Sequence, residues 1–157
     1  MHITLTRYYG DHFETKSTFM VVTDQGAELT GEAREPQFVD YTETFPKCAL
    51  CCLPTGTFRL KVASSEYSAM SLKVMNAPGH KCCFIGWKAT NGIRHNTILI
   101  GQSDGDKLPE CRKMIRQEET MRMLDKLVYR AFISGDEMKL TVINSICNNE
   151  MRTNSKL

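Results

Sequence analysis

The strongest constraint in this chain is a period-two alternation that recurs in short runs. Phe58, Leu60 and Val62 alternate with Thr57, Arg59 and Lys61, and Ile3, Leu5 and Arg7 alternate with Thr4 and Thr6. Met138–Ile143 closes the chain in the same way, and Ser17–Val22 is a further β-rich run. Successive side chains of a strand point to opposite faces, so such runs form half-buried strands and not helices. Turn chemistry punctuates them at Tyr9-Gly10-Asp11, Pro54-Thr55-Gly56 and Asn76-Ala77-Pro78-Gly79. Residues 70–76 are read as another strand. Cys82–Ala89 and Ile93–Gly101 flank Thr90-Asn91-Gly92, and Asn-Gly between β-rich runs predicts a two-residue hairpin. Ile98-Leu99-Ile100 is expected to be fully buried. The polar stretch 23–47 reads as a long loop with one short strand near Phe38–Tyr41.

One segment has a different period. Met114, Ile115, Met121, Leu124, Leu127, Val128 and Phe132 form an apolar stripe at helical spacing. Asp106 as N-cap, Pro109 in the first turn and Gly135 past the end predict a helix over about 109–132. Glu118 and Arg122 are placed to pair at i,i+4. The expected fold class is therefore α+β: a mostly antiparallel sheet or sandwich with one helix packed on it. At 157 residues the chain forms one domain, assigned to 1–147, with 148–157 as a polar flexible tail. A core of that size buries roughly 70% of the unfolded surface, so disulfides are not needed for stability.

Composition excludes more than it assigns. Apolar residues at 41% and charged residues at 24% exclude wholesale disorder. A net charge of +2 gives no argument for nucleic acid or anionic membrane. No apolar run approaches a membrane span or the core of a signal peptide, which implies a cytoplasmic or virion-associated protein. The seven cysteines, at 48, 51, 52, 82, 83, 111 and 147, are odd in number and include two adjacent pairs. Without a secretory signal they read as reduced thiols, one of each pair buried as a small apolar group.

Several motifs occur in order: Ile3-Thr4-Leu5-Thr6-Arg7; Leu53-Pro54-Thr55-Gly56-Thr57-Phe58; Asn76-Ala77-Pro78-Gly79-His80; Phe84-Ile85-Gly86; Ile98-Leu99-Ile100-Gly101. This arrangement resembles an uncharacterised domain family of phages and bacterial mobile elements, itself similar to the L,D-transpeptidase (YkuD-like) fold. The resemblance implies a cysteine nucleophile with a histidine base, acting on a peptidoglycan stem peptide. A thiolate needs such a neighbour to lower its pKa. Here the implied base position is Gly86 and the implied nucleophile position is Thr97, preceded by Asn96. The resemblance thus implies a scaffold kept and a chemistry lost, with a binding cleft near Trp87, His95, Asn96 and Thr97.

Four other readings compete. An active enzyme would pair Cys82 or Cys83, or the Cys51/Cys52 pair, with His80 or His95. A zinc-stabilised interaction domain would use Cys48, Cys51, His80 and Cys82, although Cys82-Cys83 lacks the second two-residue spacing of zinc sites. Arg112, Lys113, Arg116, Arg122, Lys126 and Arg130 could face nucleic acid. Interleaved Glu110, Glu118, Glu119 and Asp125 instead describe a solvated face and argue against that partner. Trp87 with Tyr8, Tyr9 and Tyr41 could stack on a ligand or simply pack. The sequence leads to a non-catalytic module without cofactor, binding a peptidoglycan-type peptide or a partner protein, and leaves its oligomeric state open.

Overall fold

A computed structural model describes residues 1–39, 51–64, 71–80, 82–86 and 97–146. In chain order these form β1 (His2–Gly10), β2 (Thr15–Thr23), β3 (Gly26–Glu35), β4 (Gly56–Ala63), β5 (Ser71–Val74), β6 (Cys83–Gly86), β7 (Thr97–Ser103), β8 (Met114–Ile115), α1 (Gln117–Ser134) and β9 (Met138–Asn144). The strands run in the order β3-β2-β1-β9-β4-β5-β6-β7, and β3 pairs with β7. Eight strands therefore close into a barrel, and β8 adds to β7 outside the ring. Closure occurs through Glu32↔Gly101, Ala33↔Ile100 and Arg34↔Leu99. It removes the sheet edges that a sandwich would leave open.

The expected alternation sets the inward faces. Ile3 and Leu5, Phe19 and Val21, Leu60, Leu72 and Val74, Ile85, Ile98 and Ile100, and Leu140 and Val142 share one core cluster. An interior of this strand number is just wide enough for side chains to fill. Helix α1 adds Met121, Leu124, Val128 and Ala131 to that cluster and packs against β7 and β3, the strands of the closing seam. Gly135, at φ 69°, ends the helix, and the Asp136 amide donates back to the Ala131 carbonyl at 3.0 Å. Glu118 and Arg122 form the expected ion pair at 2.7 Å.

Several expectations are corrected. The sheet is a closed barrel, not a sandwich, and two contacts are parallel, β1 with β9 and β6 with β7. Because β6 and β7 pair in parallel, they are not the two arms of a hairpin; Asn91-Gly92 lies outside the described residues. The stretch 23–47 contains a ten-residue strand, β3. Its apolar period was masked because the face shared by Leu29 and Ala33 also carries Gly31 and Glu35. Phe38 and Val39 are not in a strand; Gln37 forms a single bridge to Cys51. Leu99 is half-buried, not buried.

The helix begins at Gln117, eight residues after Pro109. Asp106 does cap a turn, accepting from the Leu108 amide at 3.0 Å, but that turn does not propagate. The Lys16 ammonium takes the carbonyls of Pro109, Glu110 and Arg112 at 3.0, 2.9 and 2.9 Å, and the Arg34 guanidinium donates to the Arg112 carbonyl at 3.0 Å. Arg116, at φ 54°, then sets the left-handed start of α1. Consequently Met114 and Ile115 belong to β8. Phe132, expected on the apolar stripe, is 57% exposed on α1.

Candidate functional site

The positions implied for base and nucleophile are brought together. Strands β6 and β7 run parallel, with Phe84↔Thr97, Ile85↔Ile98 and Gly86↔Leu99 in register. Cys83 and Ile85 belong to the core, so Phe84 and Gly86 take the other face of β6. A Cβ built on Gly86 would lie 3.1 Å from the Thr97 methyl. Both residues are buried. The pair has no imidazole, carboxylate or thiol of its own, so it holds neither an activated nucleophile nor a base. Trp87, His95 and Asn96, the rest of the expected cleft, lie outside the described residues.

A second cluster fills one end of the barrel. Along β1 the inward positions run Ile3, Leu5, Arg7, and the last is 1% exposed. Arg7 opposes Ser17 across the β1–β2 pair, and Thr15 opposes Glu35 across the β2–β3 pair. Arg7 therefore meets Glu35 inside the barrel. Its Nε donates to Oε2 at 2.8 Å and its Nη2 to Oε1 at 2.7 Å, a bidentate pair. The same Nη2 donates to the Leu53 carbonyl at 2.5 Å, and the Leu53 amide donates to Glu35 Oε1 at 3.0 Å. The pair thus ties β1, β3 and the segment before β4 together. Ser17 Oγ, fully buried, has no hydrogen-bond partner.

Three titratable groups surround this pair. His80 is 5% exposed and donates to the Cys52 carbonyl. Burial pushes its pKa down, while Glu35 and that hydrogen bond pull the other way. Cys52 is fully buried; its sulfur lies 3.5 Å from the Val39 amide, and burial pushes its thiol up. Burial, reinforced by the Glu35 charge, pushes the Cys83 thiol up much further. A thiol held in its neutral form is a poor nucleophile.

The remaining candidates are dispersed. Cys82 and Cys111 are exposed, Cys51 is buried, and all the described cysteines are free thiols. Cys48 lies outside the described residues. Among the described residues no group of three or more His, Cys, Asp or Glu side chains is placed to hold a metal ion. Nor is any described helix long and apolar enough to cross a membrane.

Sequence reasoning missed the Arg7–Glu35 pair. Its signal was present at Arg7, a charged residue on the apolar phase of a strand. It was absent at Glu35, which sits in a stretch without visible alternation. No family model, curated protein or solved structure matches the chain.

Proposed function

We propose that this protein is a non-catalytic binding or structural module, a degenerate relative of the L,D-transpeptidase-like domains of phages and mobile elements. The observation that carries this reading is the adjacency of Gly86 and Thr97. Two positions chosen from short motifs, eleven residues apart in sequence, lie in side-chain contact distance on neighbouring parallel strands. They hold residues that cannot perform thiol chemistry. The buried state of Cys52 and Cys83 supports the same reading, because neither sulfur is available as a thiolate.

The ligand implied is a peptidoglycan-type stem peptide or a partner protein, bound beside Gly86 and Thr97 with Trp87 as an aromatic contact. Titration of a stem-type peptide into the wild-type protein tests this. Binding is expected without a covalent mass addition, and Trp87→Ala is expected to weaken it about tenfold, the scale of one lost aromatic contact. Acylation of a cysteine would instead identify an active enzyme. Absence of binding would remove this ligand class.

A further inference from the structure

Charge is distributed unevenly along this chain. Residues 44–103 carry seven Lys or Arg and a single acid, Glu66, whereas the remainder carries 13 basic and 17 acidic residues. The near-neutral total therefore conceals a basic segment. Strands β4, β5, β6 and β7 all derive from it and are consecutive in the barrel, so the segment builds one wall.

The outer face of that wall places like charges directly opposite one another. Lys61 on β4 faces Lys73 on β5, and Arg59 on β4 faces Lys139 on β9. Such cross-strand pairs are destabilising when nothing neutralises them. Glu137 contacts Arg59 and Lys139, both at 3.5 Å. Among the described residues no carboxylate pairs with Lys61 or Lys73. The row continues across β5 to the half-buried Phe84, which opposes Lys73 on β6.

This wall is grooved. A cavity of about 650 Å³ beside Arg59 and Lys61 and another of about 530 Å³ beside Lys73 share Met75 and Asn76 as lining. Asn76, held at φ 57°, offers an exposed amide at their junction. Among the described residues, Asp136 and Glu137 are the acids lining the first groove, and none lines the second.

We infer that the β4–β5–β6 wall binds the backbone of a single-stranded nucleic acid. A cationic groove that tracks phosphates, with an aromatic ring beside it to receive a base, is the arrangement such ligands use. A folded acidic protein would be expected to meet a centre of exposed aromatic and apolar anchors, whereas this face offers mainly separated cations. The helix charges are not involved. They alternate in sign, while this wall gathers its cations from different strands.

Fluorescence anisotropy with a labelled single-stranded RNA of about 20 nucleotides tests the inference. Wild-type protein is expected to bind, with a log–log salt slope of about −2, as three phosphates neutralised on a single strand require. Lys73→Glu is expected to weaken binding at least about fivefold at low salt while its thermal midpoint stays at or above wild type, because the substitution removes a like-charge opposition. Arg59→Gln provides a second variant, with a smaller loss expected. Lys126→Glu on α1 is expected to leave affinity unchanged. Failure of the wild type to bind at about 20 mM salt would overturn the inference. So would equal losses in Lys73→Glu and Lys126→Glu, or tighter binding of poly-glutamate or anionic vesicles than of RNA.

Discussion

Glu35→Gln is expected to destabilise the protein by about 3–5 kcal/mol, because it removes the carboxylate from a buried bidentate ion pair. Both side chains are 1% exposed, so water cannot replace the lost carboxylate. For a chain of this length that is a fall in thermal midpoint of roughly 6–20 °C. The double variant Arg7→Met, Glu35→Met separates charge from packing. An apolar pair of similar volume removes the buried charge as well, so the double variant is expected to recover part of the loss. Recovery stops short of wild type because the Leu53 amide and carbonyl both lose their partners. Thermal melts of the wild type and both variants check the ordering. A Glu35→Gln midpoint within a few degrees of wild type would show that the pair does not hold the barrel end.

Gly31→Ala is the second large effect. Gly31 pairs with Phe19, and the next residue, Glu32, pairs with Gly101 across the closing seam. A Cβ on Gly31 would overlap the Gly101 carbonyl oxygen and approach Phe19 Cε1 at 2.7 Å. The carbonyl belongs to the backbone of β7, so relief requires the seam itself to open. A cost of about 3 kcal/mol is expected, at the upper end for an overpacked core. Accelerated amide exchange is expected to concentrate at Glu32–Arg34 and Leu99–Gly101, because local opening governs that exchange. Thr30→Ala, on an exposed neighbour, is expected to leave both readings unchanged. A Gly31→Ala protein as stable as wild type would show that the two strands do not approach as closely as described.

These two sites mark where the sequence was and was not legible. Strands β1, β2, β4, β5 and β9 were readable because Phe58-Leu60-Val62 and similar sets put large apolar side chains on every second position. Strand β3 was not, because Gly31 supplies close approach and Glu35 supplies charge, and neither registers as apolar. Barrel closure was invisible for the same reason, since it depends on β3 reaching β7. The start of α1 was misread because its apolar stripe extends back into β8. The competing force there is Lys16, 93 residues earlier than Pro109, taking carbonyls that a first turn would use. Position-specific periodicity carries no information about such a distant donor.

The candidate sites were less legible. Gly86 and Thr97 are singled out only through the resemblance, and the parallel run of β6 beside β7 that brings them close differs from the hairpin read from Asn91-Gly92. The basic wall was not legible either. Arg59, Lys61 and Lys73 are unremarkable as outward residues of separate strands, and only the register sets Lys61 against Lys73. The interior position of His80 beside the Arg7–Glu35 pair likewise follows from barrel closure and not from any local spacing.

The central claim is that none of the described cysteines is an activated thiol. Site-resolved alkylation of the native protein near pH 7, read by peptide mass, tests it most directly. Among the described cysteines, the account predicts that exposed Cys82 and Cys111 are labelled before Cys52 and Cys83, which stay protected until the barrel unfolds. A cysteine that alkylates far faster than a free thiol, and slows when His80 or His95 is replaced, would contradict it.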